Sequence, residues 1–341
     1  MKGSGLFYAQ NKLALKQFSN PCFFMITPKP LFAERMRTLL PEEKDFTSFM
    51  NIIHEYPRNY IRCNTLKISP SALKARLEEK NWKIKQVFSS HPEIMLIESA
   101  LEPGALGKAL EHLLGYYYVQ EVSSMMPALA LEPKPDDLVL DLCAAPGSKT
   151  TQISALMQNK GTIVANDKTI DRMVSLVSNL ERCGCTNAIV TREDAIAFCR
   201  RLEKTGFRFD KILLDVPCSG EGNLRSSPRT FTSWSMAAIT ELSSLQKKIA
   251  FAAVPLLKES GTLVYSTCTH SPEENEAIVS SLAETFSLSI EKTLLPLKCR
   301  SGISTWQKQA FNSGIENSCR IYPQDNDSEG FFVAKLKKVH S

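Results

Sequence analysis

The sequence predicts an α/β protein built on a doubly wound, mostly parallel sheet, with a smaller α+β module ahead of it. Three observations carry this. From residue 138 onward, short apolar runs alternate with segments of helical periodicity, the rhythm of strand–helix–strand units. The turn cluster Pro133-Lys-Pro135-Asp136-Asp137 marks where that rhythm begins. Before it, the pattern is short strands around one helix.

Taken in order, residues 1–30 show no core pattern and are expected to be a loose extension. Across 31–56, Phe32, Met36, Leu39, Leu40, Phe46, Phe49, Ile52 and Ile53 recur at helical spacing until Pro57 stops the run. A strand is expected over 60–66. Ser69, as a cap, and Pro70, at the first helical position, open a helix that runs to Lys80. Two more strands are expected over 83–88 and 94–98. Together 31–115 read as a helical segment plus an α+β module, similar in pattern to an RNA-recognition sheet but without that sheet's aromatic signature. The main domain is expected over 116–341, with strands over 138–142, 162–166, 188–190, 211–214, 261–266 and 330–336. Its helices are expected over 150–158, 171–183, 240–257 and 273–286.

Composition narrows the class. Hydrophobic residues make up 43% and charged residues 23% of the 341, which suits a soluble globular protein. No apolar run approaches the roughly 20 residues of a membrane span. The stretch 21–26 is too short for the core of a signal peptide. A cytoplasmic protein with no membrane partner is therefore expected. None of the ten cysteines forms a CxxC pair and the five histidines are scattered, so no metal site is expected and the thiols should be reduced. The net charge of +5 lies wholly in residues 1–115, which hold 16 Lys and Arg against 11 Asp and Glu. That placement suits an accessory region touching phosphates, or equally an ordinary solvated surface.

The first strand of the main domain runs into DLCAAPGSKT at 141–150. Ala144, Ala145 and Gly147 let a ligand approach the backbone, and Ser148 begins a helix whose free N–H groups face the same spot. The motif is neither GxGxxG nor GxxxxGK[ST], so a pyrophosphate ligand is less suited than a small zwitterion such as the methionine end of S-adenosylmethionine. Asp167 follows the second strand, where a carboxylate can accept from ribose hydroxyls, and Asp194 follows the third. Either aspartate alone is more often a helix cap or turn residue, but their regular placement after consecutive strands favours the ligand reading.

The fourth and fifth strands each deliver a cysteine to the same rim, in DVPCSGEG at 215–222 and in LVYSTCT at 263–269. Two thiols beside Asp215 match a specific chemical need. Carbon 5 of cytosine becomes nucleophilic enough to attack a sulfonium methyl only after a thiolate adds to carbon 6. Asp215 can ease that addition at ring N3, and a second thiol can assist the later elimination. The attacking thiol should have a lowered pKa near positive charge, which Lys149 is a candidate to supply. Spacing alone does not say whether Cys218 or Cys268 attacks.

On these motifs the chain resembles the Nol/Nop/Sun family of RNA cytosine-5 methyltransferases, including the bacterial ribosomal RNA enzymes. The matching stretches are DLCAAPGSKT, LLDVPCSGEG at 213–222, LVYSTCTHSPEENEAIV at 263–279 and EGFFVAKL at 329–336, with YVQEVSSM at 118–125 and IRCNTL at 61–66 in the N-terminal part. The resemblance covers 31–338. It implies a Rossmann-like class I methyltransferase with a seven-stranded sheet whose last strand is antiparallel, and S-adenosylmethionine as cofactor. It implies that Cys268 attacks and Cys218 releases the product. It also implies that Cys143, Ala144, Ala145, Pro146, Gly147, Ser148 and Lys149 line the methionine end, Asp167 and Arg172 the ribose side and Asp194 the adenine, with Asp215 between cofactor and base. It leaves the roles of Arg225 and Pro228 open.

Ser148 stands where many members carry a second glycine, and Val216 replaces a common alanine. The chain ends soon after EGFFVAKL, so the extra C-terminal RNA-binding domain of some relatives is expected to be missing. The expected partner is structured RNA, small-subunit ribosomal RNA first and transfer RNA as the alternative, with the target cytosine turned out of its stack and the protein acting as a monomer. A DNA cytosine methyltransferase would carry a Glu-Asn-Val motif and an amino-nitrogen methyltransferase an Asn/Asp-Pro-Pro-aromatic motif, and neither is present. A non-catalytic ribosome-assembly factor would need none of Cys218, Cys268 and Asp215.

Overall fold

The computed structural model describes residues 27–338. Most of the expected N-terminal extension lies outside the described residues. The periodic stretch that follows forms two helices, Pro30–Leu39 and Glu43–Ile52, rather than one. Pro41 is the cause: a residue before proline is pushed away from helical geometry, and Leu40 sits at φ −124°, ψ 75°. Phe32, Met36, Leu40, Phe46, Phe49 and Ile53 are buried against Leu224, Phe231, Trp234, Ile239 and Tyr322 of the main domain.

The small module is a four-stranded antiparallel sheet of β1 (Asn59–Cys63), β2 (Ile84–Gln86), β3 (Ile94–Ile97) and β4 (Tyr117–Val119). Its strand order is β2-β3-β1-β4, with the helix Pro70–Glu78 between β1 and β2. That connectivity is of the ferredoxin-like type that RNA-recognition modules share. Ser69 caps the helix by accepting from Ala72 N at 3.3 Å, and Pro70 opens it, as the sequence predicts. Alternation along the strands divides their residues between two faces. Ile61, Cys63, Met95, Ile97 and Tyr117 pack on Leu73 and Leu77 of the helix. Tyr60, Ile94 and Leu96 pack on Val139, Ile153, Met157 and Ile163 of the main domain. Both faces are therefore covered. The likeness to an RNA-recognition sheet lies in the connectivity and not in an exposed sheet face.

The main sheet contains β5 (Leu138–Asp141), β6 (Thr162–Asp167), β7 (Ala188–Arg192), β8 (Phe209–Asp215), β9 (Leu257–Thr267) and β10 (Leu288–Glu291). Short strands β11 (Arg300–Ser301), β12 (Thr305–Trp306), β13 (Gln309–Ala310) and β14 (Cys319–Ile321) precede β15 (Phe331–Lys338). Its nine strands run β11-β14-β15-β9-β8-β5-β6-β7, with β10 beside β15. The five strands β7-β6-β5-β8-β9 are parallel and β15 is antiparallel to β9. The seven strands that the resemblance implies are present, and β14 and β11 lengthen the sheet beyond β15; β12 and β13 pair only with each other.

Adjacent residues of the central strands feed opposite layers. Val139, Leu213, Val264 and Val333 meet Met126, Leu131, Ile153 and Met157 on one side. Leu140, Leu214, Tyr265 and Ala334 meet Phe198, Ile249, Ala253 and Ile278 on the other. The long helix is Met236–Ala253, earlier than expected, because Ser235 Oγ caps it by accepting from Ala238 N at 3.2 Å. The chain winds from β5 out to β7 and returns to β8, so the switch point lies at the carboxyl ends of β5 and β8.

Candidate active site

Pairing of β8 with β9 puts Asp215 level with Ser266. Cys218 lies three residues beyond Asp215 and Cys268 two beyond Ser266, and their sulfurs are 3.1 Å apart. The loops are tied together around this contact. Ser219 Oγ and Thr269 Oγ1 are 2.8 Å apart, Ser219 N donates to Glu274 Oε2 at 3.0 Å, and Gln246 Nε2 donates to Pro217 O at 2.8 Å. Cys268 lines a cavity of about 540 Å³ at the switch point. Cys218 stands behind it.

The Cys218 thiol is held well above the usual range, first by its hydrogen bond with Cys268 and then by burial. The expected lowering belongs to the attacking thiol, and at Cys218 the shift runs the other way. The expected role of Lys149 is corrected. Its ammonium donates to Asp215 Oδ2 at 2.7 Å and to Ser124 Oγ at 3.0 Å rather than to a sulfur. Ser266 Oγ donates to the other oxygen, Asp215 Oδ1, at 2.9 Å. Asp215 is thus fixed on the cavity wall by a cation and a hydroxyl.

The opposite wall is the turn after β5. Ala144 N donates to Asn166 O at 2.8 Å, and Gly147, at φ +100°, leads into the helix Ser148–Leu156. A Cβ on Gly147 would lie 3.0 Å from Leu176 Cδ1 in a backbone conformation that L side chains rarely adopt, so glycine is required. Cys143, Ala144, Ala145, Pro146, Ser148, Lys149, Arg172 and Asp215 line the cavity. Gly147 and Asp167 shape the wall from behind. Asp167 accepts from Ala145 N at 3.2 Å and Thr169 N at 3.0 Å, and Arg172 Nη1 is 3.4 Å away. Asp194 is not on the wall. It caps the helix Ala195–Glu203 by accepting from Ile196 N and Ala197 N, both at 3.2 Å, and its carboxyl is held below the usual range, the bond from Ala197 being the largest cause.

Several wall residues escape sequence reasoning. Asp141 lines the cavity, and burial pushes its carboxyl up to about 7 although Thr150 Oγ1 donates to it at 2.7 Å. Ser124 and Gln120 belong to the quoted 118–125 stretch, which was the available signal. Glu329 had none beyond opening the matching stretch 329–336, and Asn223, one residue past the stretch 213–222, had none. Burial pushes the Glu329 carboxyl up to about 7. Arg225, whose role the sequence leaves open, is a buried staple. It donates to Glu55 O, Tyr56 O, Ser328 O and Asp327 Oδ1 at 2.7–3.1 Å.

A parallel sheet with a small-residue turn at its switch point, facing a fixed carboxylate and paired thiols, defines an S-adenosylmethionine-dependent methyltransferase. The first N–H groups of the helix Ser148–Leu156, which have no intrahelical partner, and the Arg172 guanidinium on the wall are the groups that would hold such a cofactor. The family model described as 16S rRNA methyltransferase RsmB/F matches residues 128–337, and the model for the N-terminal domain of 16S rRNA methyltransferase RsmF matches 29–122. The chain belongs to this RsmB/F (Nol/Nop/Sun) family.

It is 40% identical over 294 residues to a tRNA (cytosine(49)-C(5))-methyltransferase of Pyrococcus abyssi, covering 86% of this chain and 92% of the relative. It is 39% identical over 313 residues to ribosomal RNA small subunit methyltransferase F of Vibrio parahaemolyticus, covering 91% of this chain and 63% of the relative. The chain thus spans less than two thirds of that bacterial relative's length. Among solved structures, a methyltransferase homologue from Pyrococcus horikoshii superposes with a TM-score of 0.79 at 32% identity, covering 92% of this chain and 96% of that one. NSun6 from Pyrococcus horikoshii, solved with SFG, superposes with a TM-score of 0.76 at 26% identity, covering 91% of this chain and 98% of that one. Among the described residues no helix is long and apolar enough to cross a membrane.

Proposed function

We propose that the protein methylates carbon 5 of a cytosine in structured RNA, small-subunit ribosomal RNA first, through a covalent bond from Cys268 to carbon 6. The observation that carries this is the sulfur pair, 3.1 Å apart, with one member on the wall of a cavity that also holds Asp215. S-adenosylmethionine supplies the electrophilic methyl group. In this reading Cys268 attacks carbon 6, forming the S–C6 bond and moving the π electrons of the 5,6 bond toward carbon 5. The Lys149–Asp215 pair provides the proton that N3 needs as the density displaced from the 5,6 bond builds on it, and takes it back later. After transfer, a base such as water takes the hydrogen at carbon 5 as a proton, the 5,6 double bond re-forms and the S–C6 pair returns to Cys268. Cys218 stands beside the departing sulfur and supports its release. The division of roles is the one that the family resemblance implies, and the position of Cys268 on the cavity wall supports it.

A cytosine reached from two sides must leave its stack, which favours a loop or a distorted helix over a regular duplex. The protein would act in the cytoplasm as a monomer, with its positive charge in the N-terminal third. Transfer RNA is the second reading, favoured by the Pyrococcus abyssi relative that the chain covers almost end to end. Incubation with RNA containing 5-azacytidine tests the chemistry. Cys268→Ala should abolish both methylation and trapping, whereas Cys218→Ala should accumulate the protein–RNA adduct. Normal turnover by the Cys218 variant, together with adduct on the Cys268 variant, would reverse the assignment. Mapping 5-methylcytosine in ribosomal and transfer RNA with and without the gene separates the two substrates, and an unmodified cytosine in both would leave only the assembly-factor reading.

A further inference from the structure

Two neighbours converge on one sulfur. Cys268 Sγ lies 3.1 Å from Cys218 Sγ and 3.1 Å from Asn223 Nδ2. A carboxamide nitrogen donates hydrogen bonds and does not accept them. The Asn223 side chain is half-buried on the cavity wall, and its backbone is fastened to the residue that its side chain touches. Gly222 N donates to Cys268 O at 2.8 Å, Gly330 N donates to Gly222 O at 2.9 Å, and Asn223 N donates to Gly220 O at 2.9 Å. Gly222 is wedged in place, since a Cβ there would lie 2.0 Å from Gly330 O and 2.9 Å from Cys268 O. The turn Glu221–Asn223 therefore moves only if the Cys268 backbone moves with it.

We infer that Asn223 is a catalytic residue whose amide stabilises the Cys268 thiolate, both before it attacks and as it departs. This rests on Cys268 being the attacking sulfur. The charge sits on sulfur at the start and the end of the cycle and disappears while the S–C6 bond exists. A donor held in advance at 3.1 Å spends no reorganisation when that charge returns. A hydrogen bond to a charged acceptor is about twice as strong as one between neutral groups. Stabilisation also dulls the nucleophile, but its reactivity falls by less than half as fast, on a logarithmic scale, as its thiolate fraction grows (a Brønsted slope of about 0.4–0.5). At neutral pH the gain in thiolate wins, and at alkaline pH, where the thiolate is already complete, the advantage vanishes.

The test is the rate of Cys268 alkylation by iodoacetamide, read by peptide mass spectrometry across neutral to alkaline pH on the full chain. Asn223→Ala should slow alkylation at neutral pH by about tenfold, and Asn223→Asp, whose carboxylate repels the thiolate, by more. The deficit of the alanine variant should close as the pH rises. Adduct formation with RNA containing 5-fluorocytidine should lose the same factor at neutral pH and recover at alkaline pH. Asn223→Ser, which keeps a shorter donor, should fall between wild type and alanine in both readouts, and matched melting curves identify variants that fold. Superimposable alkylation profiles for the alanine and aspartate variants, or an adduct deficit that persists at every pH, would overturn the inference. Alkylation needs neither RNA nor methyl donor, so an error in the reading of Cys268 would appear separately, as adduct on Cys268→Ala.

Discussion

Lys149 Nζ lies 2.7 Å from Asp215 Oδ2 and joins the helix after β5 to the end of β8 across the switch point. The lysine side chain is 8% exposed and the aspartate side chain 27% exposed, so the pair is shielded from solvent on one side only. Lys149→Met should leave Asp215 its hydrogen bond from Ser266 and remove the proton source proposed for N3. We expect kcat to fall by about a hundredfold, within the usual range for general acid–base groups, with S-adenosylmethionine affinity changed far less. Single-turnover kinetics beside equilibrium cofactor binding checks this, and an equal loss in both would assign Lys149 to binding alone.

Asp141 makes stability depend on pH in a direction opposite to most carboxylates. Burial raises its folded-state pKa from 3.8 to about 7. Between those values the folded chain holds a proton that the unfolded chain has released. The contribution is therefore fully present below about pH 4 and is lost as pH rises to about 7. Its size is at most about 4 kcal/mol. Asp141→Asn keeps an acceptor for Thr150 and removes the titration. Urea unfolding as a function of pH should show a flatter profile for the variant over this window, and an unchanged profile would assign the dependence to other groups such as Glu274 and Glu329, which burial also raises to about 7.

Arg225 is 3% exposed and joins residues 55 and 56 to residues 327 and 328. Arg225→Met should cost about 3 kcal/mol, because three carbonyls lose a donor while Asp327 keeps Arg58. Arg225→Lys should not restore it, since one ammonium cannot reproduce the planar fork. Equilibrium unfolding of the two variants reads this directly, and a full rescue by lysine would contradict it.

Gly222→Ala should be more damaging than either of those changes. The added methyl would lie 2.0 Å from Gly330 O, so the Cys268 loop or the start of β15 must shift. We expect poor folding or, in any folded fraction, loss of covalent trapping. A folded Gly222→Ala protein that traps RNA at the normal rate would show that the loop has slack.

Much of the fold was legible in order along the chain. The strand–helix rhythm, the turn at 141–150 and the two cysteine loops were all expected, because period and turn chemistry are local properties. The helical segment over 31–56 is split at Pro41, a local signal that the periodicity does not carry. Asp194, read alone, is more often a cap or turn residue than a ligand, and its Oδ1 caps the helix Ala195–Glu203. The covered face of the small sheet was not legible, because a β-strand buried on both sides and one buried on a single side differ only in what arrives to cover them.

By itself, the sequence determined which chemistry-bearing side chains would reach one rim. Cys218, Cys268, Asp215 and Lys149 each sit at a strand end or a helix start of a parallel sheet, and such a sheet gathers those ends at one edge. Only the tertiary structure decided who partners whom there. Lys149 turned to Asp215 instead of a thiol, Cys218 kept its proton, and Asn223 found the Cys268 sulfur across 45 residues of chain. The reason is range. Strand and helix placement follow from neighbours a few residues apart, whereas a hydrogen bond between distant side chains depends on packing to within a fraction of an ångström.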